Sequence, residues 1–266
     1  MNTPAAGRQG KIAVVIAAYN EADAIGAVLA ELPSSLVGAD LEVIVVDDGS
    51  SDQTAEAARG HVARVLRHDA NQGQGAALRT GFECALAGGA TVVVTMDADG
   101  QHDPADLRRL VEPVLDGHLD YVQGSRYLGR YDEAGSARSY GIRVFTLLIN
   151  LVGRLRITDC TNGYRAINAR ALARLELREN RFSAAELLIE AGRHHLRVLE
   201  VPVHIRRRAA GVSKKPRSLR YPLGFLGVVV RVGSRRWRRS VAGPWDAEQR
   251  PTSRRAPTDA NAEEQT

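Results

Sequence analysis

Short runs of β-branched and aliphatic residues alternate with segments of helical periodicity through the first half of the chain. Each apolar run ends in turn-forming or acidic residues, which is typical of buried strands. The predicted strands are 12–17, 41–46, 62–66, 91–96 and 120–123. The predicted helices between them are 22–32, 53–59, 75–87 and 104–115. This alternation predicts right-handed βαβ units and an α/β fold with a mostly parallel sheet.

The pattern is less regular after residue 126. An amphipathic helix is predicted at 139–151, a loop or strand at 160–168, another helix at 184–194, and a late strand at 196–205. Pro202 indicates an edge position for the late strand, because proline cannot donate to a central ladder. The predicted organisation is a flexible leader (1–10), an α/β domain (11–218), a basic amphipathic segment (219–239) and a disordered tail (240–266).

Charge is distributed unevenly along the chain. The 266 residues carry a net charge of +5, but twelve Lys or Arg residues and no Asp or Glu fall between residues 201 and 245. The rest of the chain holds 24 basic and 31 acidic residues, so a basic stripe follows an acidic body. Neither cysteine has metal or redox spacing, and the first residues lack a long apolar stretch. We therefore expect a cytoplasmic protein without a disulfide framework or secretory signal.

Two carboxylates follow the fourth predicted strand. Asp97 and Asp99 lie where the backbone leaves the strand, so both side chains can reach a common point, and Gln101 adds a neutral oxygen. Such hard oxygen ligands suit Mg²⁺ or Mn²⁺, which neutralise nucleotide phosphates. The alternative is an acidic strand-to-helix turn in which Asp103 caps a helix that begins at Pro104. A D-x-D pair alone does not decide between them.

Polar residues also follow the first two predicted strands. Tyr19 is suited to stacking on a base and Glu21 to accepting a ribose hydroxyl. The alternative is that Asn20 caps the next helix, with Asp23 at its third position. Asp48 can accept hydrogen bonds from a base or ribose, and its alternative is a turn that caps the following helix. Both interpretations of each segment stay open at this point.

The glycine-rich segment 71–75 opens a helix, and a helix N-terminus favours phosphate. It imitates a dinucleotide-binding fingerprint. However, Leu78 occupies the third glycine position, and the segment follows the third strand rather than the first. We therefore exclude a nicotinamide-binding site.

Several cations are placed to hold a phosphate. Arg126 follows the short strand 120–123, and its guanidinium suits bidentate phosphate contact, with a surface salt bridge as the alternative. The basic stretch 206–215 sits in a Gly-containing loop and is either a phosphate clamp or a solvated loop. It lacks interleaved aromatic residues and any known nucleic-acid-binding signature, so we predict no nucleic-acid partner.

Taken in order, these motifs resemble those of the inverting family 2 glycosyltransferases, and most closely the dolichol- or polyprenyl-phosphate mannosyltransferase and glucosyltransferase branch. The matching elements are A-A-Y-N-E at 17–21, V-V-D-D-G-S-S-D at 45–52, N-Q-G-Q-G-A-A at 71–77, D-A-D-G-Q-H-D-P at 97–104, G-S-R-Y at 124–127, D-C-T-N-G-Y-R-A at 159–166, E-V-P-V at 200–203, and R-x₆-S-K from 206 to 214. The resemblance covers residues 11 to 220. Ala17 departs from it, because the family usually has proline there.

The resemblance implies a GT-A fold, a nucleotide-diphosphate sugar donor and a divalent metal, Mg²⁺ or Mn²⁺. By position it implies that the nucleotide sugar contacts Tyr19, Glu21, Asp48, Asp97, Ala98 and Asp99, the metal Asp97, Asp99 and Gln101, and the acceptor phosphate Arg126, Arg138, Arg206 and Lys214. Asp99, Arg126 and Lys214 are the implied catalytic residues. Asp159 and Arg165 match the family's D-x-x-x-G-[FY]-R element without an assigned role.

The chemistry of the acceptor favours the lipid branch. A sugar hydroxyl needs a general base to become a nucleophile, whereas a lipid monophosphate is already anionic at neutral pH. The enzyme then mainly positions the substrates and neutralises the departing diphosphate. We therefore expect transfer of mannose or glucose from GDP-mannose or UDP-glucose to a polyprenyl phosphate. The alternatives are a soluble or saccharide acceptor, or a non-catalytic binder of nucleotide sugar or nucleic acid.

The apolar run Leu223–Val230 is too short to cross a bilayer, which needs roughly twenty residues. Arginines and aromatic residues flank it, so we expect a helix that lies on an anionic membrane surface. The alternative is a terminal helix packed on the domain. The expected location is peripheral, on the cytoplasmic face of the membrane.

Overall fold

A computed structural model describes residues 10–61, 64–132, 136–208 and 220–235, without the side chains of residues 136–139, 220 and 221. The predicted tail (240–266), Lys214 and the predicted leader apart from Gly10 lie outside the described residues. The side chain of Arg138 lies outside them too. The amphipathic segment 219–239 is described between residues 220 and 235.

One mixed sheet contains all eight strands of the described residues, in the order β2-β3-β1-β5-β7-β6-β8, with β4 also paired to β3. The strands are β1 (Lys11–Ala18), β2 (Ser35–Leu36), β3 (Ala39–Asp47), β4 (Arg64–Arg67), β5 (Val92–Asp97), β6 (Tyr121–Tyr131), β7 (Arg165–Asn168) and β8 (Val198–Ile205).

Helices cover both faces of this sheet. They are α1 (Ala22–Ala30), α2 (Thr54–Arg59), α3 (Gln74–Ala87), α4 (Leu107–Leu115), α5 (Ser136–Gly153), α6 (Ala169–Leu172), α7 (Ser183–Arg193) and α8 (Arg220–Ser234). A 3-10 turn, Pro104–Asp106, precedes α4, and the Asp103 side chain accepts from the Ala105 amide at 3.0 Å. Asp103 therefore caps the segment that begins at Pro104, as the alternative interpretation of this turn expected, although that segment starts as a 3-10 turn.

Strand direction brings the polar ends of several strands to one edge of the sheet. β1 pairs in parallel with both β3 and β5, and β3 pairs in parallel with β4. β7 is antiparallel to β5 and to β6, so β6 runs in the same direction as β5, and β8 is parallel to β6. The carboxyl ends of β1, β3, β5, β6 and β8 therefore meet at one edge, where ligands bind in open α/β sheets.

Alternation of side chains along the central strands builds a core on each face. In β1, Ile12, Val14 and Ile16 point to one apolar layer, and Ala13 and Val15 point to the other; all five are fully buried. The first layer is completed by α1 and α4, and the second by α3, α7 and α8. A strand that is buried on both faces has a continuous apolar run in its sequence. This is why β1 could be predicted from the sequence.

The fifth predicted strand, 120–123, was too short. β6 continues to Tyr131, so Arg126 lies within the strand and not after its end. The outer half has little apolar alternation and is held by backbone pairing with β8, across a register shift between Ser125 and Arg130. A strand segment whose side chains do not alternate between apolar and polar has no period-2 pattern in the sequence. This is why the sequence did not predict the outer half of β6.

Pro202 lies in β8, the last strand in the sheet order, so the predicted edge position is confirmed. The Pro202 carbonyl accepts a hydrogen bond from the Arg109 guanidinium at 2.9 Å. An edge strand tolerates the missing amide donor because one side of its ladder needs no partner strand.

Candidate active site

The turn after β5 presents the predicted metal ligands. Asp97 is the last residue of β5, Ala98 is buried beneath the turn, and Gly100 turns the chain with a φ of 76°. The Asp99 side chain turns back on its own loop, where Oδ1 accepts the Gln101 amide at 3.0 Å. The charge of Asp97 acts on the Asp99 carboxyl, so the two side chains lie near each other at this turn. Their predicted binding of a metal, together with Gln101, stays a prediction.

Asp99 carries its negative charge in a poorly hydrated position. Only 9% of its side chain is exposed, and burial together with the charge of Asp97 raises the pKa of its carboxyl above the usual range. Arg208 and the Gln101 amide oppose this rise by stabilising the carboxylate. Two carboxylates that raise each other's pKa are an arrangement that favours cation binding, and in this structure the cation beside Asp99 is the Arg208 guanidinium.

His102 supports the turn from below. Its ring is buried and stacks on Tyr164 with centroids 4.6 Å apart. Nδ1 accepts the Asp97 amide at 3.1 Å, so Nε2 donates to the Asn162 side chain, also at 3.1 Å. Burial is the main cause of the lowered His102 pKa. The neutral ring therefore fixes the backbone of Asp97, a role that the D-A-D-G-Q-H-D-P motif did not indicate.

A pocket lies next to Asp97, between the end of β5, the start of α3 and the start of α7. Gln74 donates from its amide to Asp97 Oδ1 at 3.3 Å. Gly163 passes so close that an added Cβ would lie 2.6 Å from the same oxygen, which explains the glycine of the G-[FY]-R element. Arg165 also lines the pocket; it is 2% exposed, and its Nε and Nη1 have no hydrogen-bond partner among the described residues.

Arg208 joins the ends of β1 and β5. It follows β8, and its Nη2 lies 2.7 Å from Asp99 Oδ2 while Nη1 lies 3.3 Å from Glu21 Oε1. Two predicted ligand residues that are 78 positions apart in sequence thus meet at one guanidinium. Tyr19, 39% exposed, lies at the end of β1 next to this meeting point in sequence.

Arg206 is held by acidic residues on the far side of the turn. Its guanidinium contacts Glu31 at 2.6 Å and Asp103 at 2.7 Å. The Arg206 amide donates to the Gln101 carbonyl at 2.8 Å, which ties the segment after β8 to the turn after β5. The role predicted for Arg206 in acceptor binding stays a prediction, and the arginine that contacts Asp99 is Arg208.

Arg126 is fixed in a buried ion pair. Its Nε lies 2.6 Å from Asp159 Oδ2, and its Nη2 donates to the Thr161 hydroxyl at 3.2 Å. Arg126 is 9% exposed and Asp159 is fully buried. The surface salt bridge that was the alternative from the sequence is therefore wrong, since the pair is buried; the predicted contact of Arg126 with phosphate is untested.

Glu200 holds the loop that carries Asp159. Its two carboxylate oxygens accept the Thr158 amide at 2.6 Å and the Asp159 amide at 2.9 Å. Burial raises the pKa of Glu200 despite these hydrogen bonds. The glutamate of the E-V-P-V element thus positions Asp159, and through it Arg126. No signal within that tetrapeptide indicates the contact, because the two loops are about forty residues apart.

Asp48 acts as an anchor within the fold. Its carboxylate lies 2.8 Å from His68 Nδ1 and accepts the amides of Gln72 at 2.9 Å and Gly73 at 2.8 Å. These contacts tie the glycine-rich segment to the end of β3. Gly75 then packs on the Glu179 carbonyl, where an added Cβ would lie at 2.0 Å. Nucleotide binding by Asp48 remains a prediction.

The oxygen donors at the turn fit a hard divalent cation. Mg²⁺ commonly takes one or two protein carboxylates and completes its shell with substrate phosphate and water. Asp97, Asp99 and Gln101 would supply such a partial shell. Within the described ranges no group of three or more His, Cys, Asp or Glu residues is arranged around a metal position. A cation held by Asp97, Asp99 and Gln101 would complete its shell with phosphate oxygens and water.

Comparison with known proteins identifies the family. The family model described as "Glycosyl transferase family 2" matches residues 13–175. The chain is 31% identical over 247 residues to an undecaprenyl-phosphate mannosyltransferase of Micrococcus luteus, covering 89% of this chain and 96% of that protein. It is 30% identical over 214 residues to a UDP-N-acetylglucosamine–dolichyl-phosphate N-acetylglucosaminyltransferase of Methanococcus voltae, covering 72% and 84%. This chain belongs to glycosyltransferase family 2, and it is a glycosyltransferase.

A solved structure shares the fold. The crystal structure of glucosyl-3-phosphoglycerate synthase from Mycobacterium tuberculosis with Mn²⁺, UDP-glucose and phosphoglyceric acid has a TM-score of 0.64 and 23% identity, covering 84% of this chain and 78% of that one. The predicted GT-A-like α/β fold is thereby confirmed.

Proposed function

We propose that this glycosyltransferase moves mannose or glucose from GDP-mannose or UDP-glucose to a polyprenyl phosphate, with inversion at the anomeric carbon. The observation that carries the proposal is the meeting of Glu21, Asp99 and Arg208 at the carboxyl edge of the sheet. Carboxylates for a cation and guanidinium groups for phosphates lie together there. The lipid-phosphate acceptors named for the relatives in Micrococcus luteus and Methanococcus voltae support this choice.

The proposed reaction needs no general base. An oxygen of the acceptor phosphate attacks the anomeric carbon from the side opposite the diphosphate, and the bond from that carbon to the diphosphate oxygen breaks with both electrons. No proton has to move, because the nucleophile is already an anion. Arg126, Arg138, Arg206 and Lys214 would hold the acceptor phosphate, and Tyr19, Glu21 and Asp48 the nucleotide. A divalent cation bound at Asp97 and Asp99 would neutralise charge on the leaving diphosphate.

A second candidate acceptor is a small phosphorylated molecule. The structural neighbour from Mycobacterium tuberculosis is named for glucosyl transfer to 3-phosphoglycerate, and it supports the same use of an acceptor phosphate. This candidate shares the donor site and the ionic chemistry of the first. The two differ only in what is attached to the acceptor phosphate.

The two acceptors are separated by a single assay. Radiolabelled GDP-mannose or UDP-glucose is incubated with Mg²⁺ or Mn²⁺ and either a short polyprenyl phosphate or 3-phosphoglycerate. We expect butanol-extractable label with the lipid from one donor, and its loss on addition of EDTA. If the label appears only in the water-soluble phosphoglycerate product, the acceptor is the small phosphorylated molecule and not the polyprenyl phosphate.

We further propose that the protein binds the cytoplasmic face of an anionic membrane through α5 and α8. Neither helix contains Asp or Glu, and they contact each other through stacked Phe145 and Phe225, 4.2 Å apart. One side of α8 is buried on the domain, yet both helices also expose large apolar side chains. These are Tyr140, Val144, Leu147, Leu151 and Val152 on α5, and Leu223, Leu226 and Val230 on α8.

No helix in the described part of the chain is long and apolar enough to cross a bilayer. The interfacial proposal therefore rests on the exposed apolar side chains and on the arginines beside them. Arg143 is exposed on α5, and Arg231 on α8 is 61% exposed while paired with Glu179. Basic residues beside an inserted apolar face are attracted to anionic lipid.

The double variant Leu147→Glu, Leu223→Glu is expected to lose at least about tenfold of its affinity for phosphatidylglycerol vesicles, since each leucine contributes roughly 1.5 kcal/mol or more when buried. Vesicle sedimentation measures the change. Leu128→Glu is the matched control, because Leu128 is 50% exposed but lies on β6. Equal sedimentation of the double variant and the wild type would contradict the membrane proposal.

A further inference from the structure

The Arg208 guanidinium lies where a cation bound to Asp99 would also lie. Its guanidinium lies 2.7 Å from Asp99 Oδ2 and 3.3 Å from Glu21 Oε1, and its side chain is 19% exposed. The two acidic partners are 9% and 14% exposed, so all three groups are largely shielded from water. Such shielding makes an ion pair stronger than one on the open surface.

Both carboxylate oxygens of Asp99 contact a donor in this arrangement. Oδ2 faces Arg208, and Oδ1 accepts the Gln101 amide at 3.0 Å. Mg²⁺ needs a carboxylate oxygen at about 2.0–2.1 Å, and a guanidinium cannot remain in contact with that same oxygen without strong like-charge repulsion. The guanidinium and the metal therefore compete for Oδ2 of Asp99.

We propose that Arg208 is an exchangeable counter-ion of the donor site. Without ligands, its guanidinium neutralises Asp99 and Glu21. When the metal and the donor bind, the metal takes the place of the guanidinium at Asp99, and the guanidinium binds the donor diphosphate. The proposal rests on the proposed function, which supplies a diphosphate next to Asp99. The planar fork of an arginine fits phosphate oxygens as well as carboxylate oxygens, so the same side chain serves both partners.

The exchange predicts that the metal alone binds weakly and that the nucleotide strengthens its binding. Without nucleotide, the metal has to displace Arg208 and leave its charge without a partner. With a nucleoside diphosphate present, the displaced guanidinium gains a new anion. Coupling between two ligands of this kind is usually about 5- to 150-fold.

Two titrations on purified protein test the exchange. The first measures Mn²⁺ binding without nucleotide, by the loss of the free-ion electron paramagnetic resonance signal. Arg208→Gln is expected to bind Mn²⁺ on the order of tenfold more tightly than wild type. Arg207→Gln removes the same charge from the adjacent, exposed arginine and is expected to match wild type. An unchanged or lower Mn²⁺ affinity in Arg208→Gln overturns the competition.

The second titration measures GDP and UDP binding by calorimetry at saturating Mn²⁺. Arg208→Gln is expected to weaken the nucleotide that binds wild type, again on the order of tenfold, while Arg207→Gln does not. The two affinities thus move in opposite directions, which local misfolding would not produce, because it lowers both. Equal nucleotide affinity in Arg208→Gln and Arg207→Gln overturns the diphosphate contact.

Arg208→Lys provides a second variant in case the glutamine disturbs the loop. It keeps the charge but loses the planar fork, so its Mn²⁺ affinity is expected to lie between those of wild type and Arg208→Gln. Neither titration contains an acceptor or requires turnover. If the Mn²⁺ and nucleotide affinities shift in opposite directions but wild type does not glycosylate polyprenyl phosphate, only the acceptor proposal is overturned. If neither affinity shifts but wild type does glycosylate polyprenyl phosphate, only the role of Arg208 is overturned.

Discussion

Asp99→Asn is expected to reduce hexose transfer by roughly 10²–10³-fold or more, the loss typical of removing one group that stabilises developing charge. The substitution keeps the shape of the side chain and its contact with the Gln101 amide, but it removes a charged ligand from the proposed metal position. The departing diphosphate would then be poorly neutralised. Initial rates at saturating donor and metal measure the effect.

The same variant is expected to fold normally. Burial and the neighbouring Asp97 raise the pKa of Asp99, which means that the folded protein disfavours its ionised form. The neutral amide removes this cost but also removes one partner of Arg208, which keeps Glu21, so the thermal midpoint is expected to change little. Asp40→Asn is the control, since Asp40 is exposed near the start of β3, at the opposite edge of the sheet. Wild-type turnover in Asp99→Asn would contradict the assigned role.

Asp159→Ala is expected to lower the free energy of unfolding by about 3–5 kcal/mol, more than any of the other substitutions. The reason is the buried partner that it leaves behind. Arg126 is 9% exposed, and Asp159 accepts both its Nε at 2.6 Å and its backbone amide at 3.3 Å. A buried guanidinium without its carboxylate cannot lose its charge, because its pKa is too high.

Urea unfolding at neutral pH measures this loss. Asp120→Ala is the comparison, since Asp120 pairs with Arg197 at 2.8 Å, but the two side chains are 24% and 55% exposed. Water can solvate Arg197 once Asp120 is gone, so this variant is expected to lose much less stability. A similar loss in both variants would show that burial of the Arg126–Asp159 pair is not what makes it important.

The convergence of the polar strand ends was predictable from the sequence. Each of the strands β1, β3 and β5 is an apolar run followed by polar residues, and parallel strands place their carboxyl ends at one edge. Tyr19, Asp48 and Asp97 follow or end these strands, as expected. The direct contact of Glu21 and Asp99 with one arginine was not predictable, because it depends on a segment that comes more than a hundred residues later.

The partners of the arginines were the least predictable feature. Three arginines are consecutive at 206–208, and the sequence pattern does not distinguish which of them would bind a phosphate. Only the direction in which the chain leaves β8 decides that Arg206 faces Glu31 and Asp103 while Arg208 faces the site. Arg126 likewise gave no sign of burial, since its partner Asp159 is 33 residues away on another loop.

The covalent structure of the reaction product decides whether the proposed transfer takes place. Wild-type protein is incubated with the active donor, a divalent metal and a short polyprenyl phosphate, and the purified product is analysed by proton and phosphorus NMR. We expect a hexose joined through its anomeric carbon to the lipid monophosphate, with the anomeric configuration opposite to that of the donor. A product that retains the donor configuration, or free hexose as the sole sugar product, would refute the proposed function.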